Sequence, residues 1–262
     1  MTQYFVFSRR ICPPALLRVL SACALAMSLV AGTATAQDID RSEIEKIVRE
    51  YLIQNPEVIA EALTELDRRE KEAAEAARLQ ALTDSADILF NSTRQVVLGN
   101  PEGSVTLVEF FDYNCGYCKR AYGDMVRLIE EEPDLKVVLK EFPVLGQGSI
   151  EAAQVAVAVN SVAPEKYGEF HEALLLRRGQ ANLASALAAA TGTGIPEEDL
   201  KKAMETDEAG ATFEEVYTIA NRLGLTGTPS YVVGNEVVQG AVGYDQLRAK
   251  IDAVKNCGEA SC

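Results

Sequence analysis

Residues 105–142, VTLVEFFDYNCGYCKRAYGDMVRLIEEEPDLKVVLKEF, contain a complete strand–helix–strand pattern. Val105 to Phe111 is an apolar run rich in β-branched and aromatic residues, and its length suits a buried strand. Lys119 to Glu132 carries apolar residues at helical spacing and stops at Pro133. Leu135 to Phe142 is a second strand. Strand, helix and strand in succession imply a βαβ unit with a parallel pair. Two cysteines, Cys115 and Cys118, fall where the first strand gives way to the helix.

Upstream of this unit, Asn100-Pro101-Glu102-Gly103 is turn chemistry. Before it, Ile39 to about Thr83 lacks glycine. Ile44, Ile47, Val48, Tyr51 and Leu52 recur at helical spacing, as do Val58, Ile59, Ala62, Leu63 and Leu66. Asn55-Pro56 reads as a helix restart, with Asn55 as N-cap and Pro56 at the first helical position. The stripe is continuous but thin, so the segment 37–83 is expected to be a helical stalk that self-associates. Downstream, residues 149–223 are helical, with restarts near Pro164 and Pro196. Ser230 to Val233 and Glu236 to Val238, joined by Gly234-Asn235, read as a hairpin. Tyr244 to Lys255 is a closing helix. The domain at 84–262 is therefore α/β, with a helical insertion at about 149–223.

The first 36 residues read as an export signal. Arg9 and Arg10 precede an apolar run, and Ala34-Thr35-Ala36 is a small-x-small cleavage site that predicts cleavage after Ala36. The run is short for a transmembrane anchor. Cys23 does not end it as a lipoprotein box would, and the hydrophobic residues expected after a twin-arginine signal are missing. The chain carries 25 Lys and Arg against 39 Asp and Glu, for a net charge of −14. Cleavage would remove only arginines and deepen that deficit. Nucleic acid is excluded as a partner on this balance, since phosphate binding needs positive patches.

Cleavage would also leave Cys115, Cys118, Cys257 and Cys262, an even count that suits two disulfide-capable pairs in an oxidising compartment. A helix N-terminus favours a thiolate at Cys115, and Cys118 lies one turn on, where it can attack a mixed disulfide. These positions predict Cys115 as nucleophile and Cys118 as resolving thiol. A zinc site needs four ligands, and the single histidine, His171, sits in an amphipathic helical run as a surface or packed residue. Copper(I) bound by Cys115 and Cys118 stays open, because soft sulfur suits it. A structural disulfide in so tight a loop gains little. Cys257 and Cys262, in CGEASC, are read as a structural bridge pinning the C-terminal tail. No cofactor is expected.

The motif EFFDYNCGYC, with GTPS far downstream, resembles the DsbA-type family of thioredoxin-fold thiol–disulfide proteins. YLIQNPEVI in the N-terminal segment is similar to the subgroup of suppressor-of-copper-sensitivity C proteins. The resemblance covers nearly all of the chain after residue 36. It implies a periplasmic thioredoxin fold with an inserted helical subdomain, preceded by a helical stalk, acting in disulfide exchange. Thr228-Pro229 matches the loop whose proline is cis and faces the cysteines. The backbone at Thr228 would pair with an extended substrate. Glu109 matches the buried acid that relays protons beneath the resolving cysteine; the other reading pairs it with a lysine such as Lys140. Gly116-Tyr117 differs from the Pro-His of strong oxidases and is similar to the dipeptide of periplasmic disulfide isomerases, which are oligomers. The resemblance therefore implies an isomerase or reductase, assembled as a dimer or trimer through residues 38–83. Its partners would be misfolded or disulfide-bearing exported proteins and a membrane redox partner. A net oxidase and a copper-tolerance protein are the alternatives.

Overall fold

The computed structural model describes residues 40–262. The expected signal and its cleavage position lie outside them. The described residues divide into two compact units, residues 40–65 and 66–262. Among the described residues, no helix is long and apolar enough to cross a membrane.

In the first unit, α1 spans Arg41–Gln54 and opens with Asp40, whose carboxylate accepts the Ser42 amide at 3.2 Å. This is an N-cap that satisfies one of the free donors of the first turn. No α1 residue is buried, and Ile44, Ile47, Val48 and Tyr51 form an exposed apolar stripe. The helix restart occurs where expected, but Asn55 acts differently. Its Nδ2 and its backbone amide both donate to the Tyr51 carbonyl at 2.8 Å, so it closes α1 rather than opening the next helix. That next helix, α2, spans Glu57–Asn91.

In the second unit a five-stranded sheet has the order β1-β3-β2-β4-β5. The strands are β1 Val96–Gly99, β2 Val105–Phe111, β3 Leu135–Glu141, β4 Ser230–Val233 and β5 Glu236–Gln239. β2 and β3 are parallel, as expected from the βαβ pattern; the other pairings are antiparallel. The crossover helix α3, Gly116–Glu131, joins β2 to β3. Five helices follow: α4 Gln147–Val162, α5 Tyr167–Leu175, α6 Leu183–Gly192, α7 Glu197–Met204 and α8 Glu208–Arg222. They are the predicted insertion, and α9, Tyr244–Cys257, ends the fold.

Side-chain alternation divides the core between the two sheet faces. Leu107 and Phe111 of β2 join Leu135, Val137 and Leu139 of β3 in a cluster with α3, α4, α5 and α9. Val108 and Phe110 face the other way, toward Leu82 and Leu89 of α2 and Val216 and Ile219 of α8. Burying side chains of this size contributes roughly 1.5–3 kcal/mol each. Lys136 and Lys140 of β3 donate to the Phe90 and Ile88 carbonyls at 2.9 and 2.7 Å. They satisfy carbonyl groups of the last α2 turn, which has no basic residue of its own.

A disulfide joins Cys257 at the end of α9 to Cys262, with the tail beside the β4–β5 turn. The Ala260 amide donates to Asn235 Oδ1 at 3.0 Å. Gly234 occupies the turn at φ +54°, where a Cβ would meet Val254 Cγ2 at 2.8 Å. Both its left-handed backbone and this contact suit glycine.

Candidate active site

β2 ends at Phe111, and Cys115 is the N-cap residue of α3. The sharp change of direction is held by Asp112. Its backbone carbonyl accepts the Cys115 amide at 3.0 Å. Its buried carboxylate accepts four bonds. Oδ1 takes the Asn114 amide and the Ser149 hydroxyl, both at 2.7 Å. Oδ2 takes the Val144 and Leu145 amides at 2.9 and 3.0 Å. Four donors on one carboxylate fill its acceptor sites and fix the loop. Asn114 extends the clamp into the insertion. Its Nδ2 donates to Ser149 Oγ and the Ala181 carbonyl, both at 3.0 Å, and its Oδ1 accepts the Ala181 amide at 2.7 Å.

Cys115 is 5% exposed and Cys118 1%, and both are free thiols. The Cys115 Sγ donates to the Thr228 carbonyl at 3.1 Å, and the Thr228–Pro229 peptide bond is cis. Residues separated by more than a hundred positions thus meet at one point, as the GTPS motif predicts. Gly116 and Tyr117 both stay exposed, and the Arg120 guanidinium lies 4.2 Å from the Tyr117 ring centroid. A cleft of about 150 Å³ opens beside this loop, lined by Thr226, Gly227, Thr228, Pro229, Gln239 and Gly240, with Ser230.

Glu109 lies on the face of the sheet that carries the cysteines, opposite Tyr231 of β4. Burial raises its carboxyl to about 8. Its charge in turn acts on Cys118, whose thiol is pushed well up, by burial first and by Glu109 second. The pairing of Glu109 with Lys140 does not form. Lys140 is in register with Phe110, one residue on, and therefore belongs to the opposite face. It sits 3.7 Å from Glu215, and burial lowers its amine to about 8.

A second polar group lies behind the active-site turn. Glu141 accepts from Tyr167 at 2.5 Å and from Tyr113 at 3.4 Å, and Tyr113 meets His171 Nδ1 at 3.1 Å. Burial raises Glu141 to about 8 and lowers His171 to about 3. His171 is thus a packed residue, stacked on Tyr167 and edge-on to Phe111. Asp112, Asn114, Glu141 and Tyr167 escaped the sequence reading, since the partners that hold them across the fold lie 26 to 67 residues away. The acid inside the apolar-flanked DYN triplet was the one available signal. Among the described residues, no group of three or more His, Cys, Asp or Glu side chains could hold a metal.

The DSBA-like thioredoxin domain matches residues 106–252, and the copper resistance protein ScsC N-terminal domain matches residues 40–73. A thioredoxin-like oxidoreductase from Silicibacter pomeroyi is 42% identical, covering 65% of this chain and 98% of that one, with a TM-score of 0.63. A mutant ScsC from Proteus mirabilis is 29% identical over 84% of this chain and 97% of that one, with a TM-score of 0.65. Disulfide bond formation protein D of Bacillus subtilis is 27% identical over 60% of this chain and 76% of its own length. The chain belongs to the DSBA-like thioredoxin domain family and is a thiol–disulfide oxidoreductase.

Proposed function

We propose that this is an exported, periplasmic disulfide isomerase or reductase that works as an oligomer. Cys115 attacks a client disulfide as the thiolate; one client sulfur leaves as a thiolate and the other stays bonded to Cys115. In isomerisation a different client thiolate attacks that client sulfur, forms the new client disulfide and releases Cys115. In reduction Glu109, once it has released its own proton to solvent, takes the Cys118 proton; Cys118 attacks Cys115, and the departing client thiolate is protonated by solvent, freeing the client as a dithiol. The 115–118 disulfide then holds the two-electron oxidation. A carboxyl raised to about 8 suits the proton step near neutral pH, because it can hold or release that proton. Thr228 and cis-Pro229 would align the extended client beside Cys115.

The observation that carries isomerase over oxidase is the exposed apolar stripe of α1, continued by Ile59 and Leu63. Such a stripe suits burial against further copies of residues 38–83, as a dimer or trimer. Several active sites around one misfolded client raise the effective concentration of attacking thiols. Gly116-Tyr117 agrees with this reading. A membrane reductant would keep the pair reduced. Domain limits of 37–83 and 84–262 serve this division of labour. The copper(I) alternative uses the same two sulfurs; the raised Cys118 thiol opposes the two-thiolate state that copper favours.

Refolding of a scrambled disulfide client tests the proposal, together with the 115–118 reduction potential. Isomerase activity that falls when residues 38–83 are deleted, in a protein that becomes monomeric, is the expected result. A potential near the DsbA value of about −120 mV, with no refolding of the scrambled client, would overturn it.

A further inference from the structure

Around the cysteine pair, charge runs against the rest of the molecule. The chain is strongly acidic, and elsewhere in residues 66–262 most cations are neutralised locally. Arg127, Lys201, Arg248, Lys250 and Lys255 each lie within ion-pair distance of a carboxylate. Lys119, Arg120, Arg177 and Arg178 have no ion pair among the described residues; two stand on the helix that Cys115 caps, and two in the loop that Lys119 holds to it. Lys119 and Arg120 stand in the first turns of α3. Lys119 Nζ donates to the Arg177 carbonyl at 3.3 Å, which draws the loop after α5 to the cysteine-bearing turn. The two Asn114–Ala181 bonds hold the far end of that loop.

These cations are set among apolar groups. Tyr117 is 60% exposed, and Leu145 and Leu176 are also exposed, on the two loops that Asp112 and Lys119 tie down. Arg120 is preorganised over Tyr117, which leaves guanidinium N–H groups free to meet an anion. Among the described residues, none of the carboxylates nearby lies within ion-pair distance of these four cations. Asp112 is buried with four donors. Glu151 accepts from the Leu183 amide and the Gln147 side chain. Glu172, close enough to raise the Tyr122 hydroxyl, and Asp124, close enough to raise the Tyr231 hydroxyl, are the opposing charges on this side that are not so engaged.

We infer that this surface selects clients whose reactive cysteine lies in an extended segment bearing aspartate or glutamate beside apolar residues. This deepens the proposed function and rests on Cys115 as the attacking group. The acidic remainder of the molecule repels such a segment everywhere except at the cysteine pair. The same charges therefore attract and orient it, an effect exerted mainly on the association rate.

The test uses the full-length reduced protein and two synthetic peptides, each closed by one disulfide. They are identical except that Asp and Glu flank the cysteines in one, Lys and Arg in the other. Second-order exchange rates are divided by the same protein's rate on hydroxyethyl disulfide, a small neutral substrate. The acidic peptide should react faster by about tenfold at about 20 mM ionic strength, and the ratio should collapse toward one at about 0.5 M salt. In the double variant R120E/R178E the preference should vanish or reverse. Equal normalised rates at low salt, or a preference that survives R120E/R178E, overturn the inference while hydroxyethyl disulfide is still reduced. If hydroxyethyl disulfide is not reduced either, the proposed function falls, and the inference with it.

Discussion

Replacing Glu109 by glutamine should favour the variant over the wild type progressively more as pH rises from 5 to 7. The carboxyl ionises near 4.5 in the unfolded chain and near 8 when buried beside Cys118 and Tyr231. Below pH 4.5 both states hold the proton, and the group contributes no pH dependence. Between pH 4.5 and 8 only the unfolded chain releases it, so stability falls as pH rises through that window. At 1.36 kcal/mol per pH unit, the wild type loses about 3 kcal/mol by pH 7 and only about 1 kcal/mol by pH 5. Glutamine cannot ionise, and whatever its buried amide costs is the same at every pH. The variant's stability minus the wild type's should therefore widen by about 2–3 kcal/mol between pH 5 and pH 7. Urea denaturation of both proteins, held reduced, reads this as a midpoint difference growing by roughly 1 M for an m-value of about 2 kcal/mol/M. Differencing also cancels the other buried groups, including His171, whose depressed imidazole removes stability as pH falls below 6.5. Parallel curves for the two proteins would refute the reasoning, because they would mean that Glu109 ionises alike in both states.

The same E109Q variant should slow the Cys118 step by about a hundredfold, seen as build-up of the Cys115 mixed disulfide in quenched-flow samples. Cys118→Ser should trap that mixed disulfide with a client, whereas Cys115→Ser should form none on a non-reducing gel. Asp112→Asn would turn amide hydrogens toward groups that are themselves donors. A loss of about 2–4 kcal/mol is expected by denaturation, with slower Cys115 alkylation in any folded fraction. Gly116→Pro places proline at the first helical position, and a Cβ there meets only Arg120 Nη1 at 3.8 Å. It should change stability by less than about 1 kcal/mol, so any change in reduction potential would report the dipeptide alone.

The β2–α3–β3 unit was legible because its signals are local: an apolar run, helical spacing and a proline stop. The insertion and the final hairpin were legible for the same reason. β1 was not, since Val96–Gly99 is a four-residue edge strand whose state depends on pairing with β3. Local propensity at such a length decides little. The cysteines and Thr228-Pro229 stood out through motif and resemblance. Asp112 looked like an ordinary loop residue, for its donors at Val144, Leu145 and Ser149 arrive only when β3 and α4 are in place. The Lys140 pairing failed on sheet register, a property fixed by two strands together. Asn55 shows the local limit of the same kind, since one side chain can cap either of two adjoining helices.

The burial of the single histidine reaches beyond packing. Exposed carboxylates change charge below about pH 5 and exposed lysines above about pH 10, so an imidazole would be the ordinary surface group to change charge between them. His171 is instead held neutral inside, while Glu109, Glu141 and Lys140, all brought to about 8, are themselves buried. The exterior thus presents a nearly constant electrostatic face from mildly acid to mildly alkaline surroundings, and the interior does the titrating. Client capture and thiol chemistry can then be separated by pH alone, with the first staying level while the second moves.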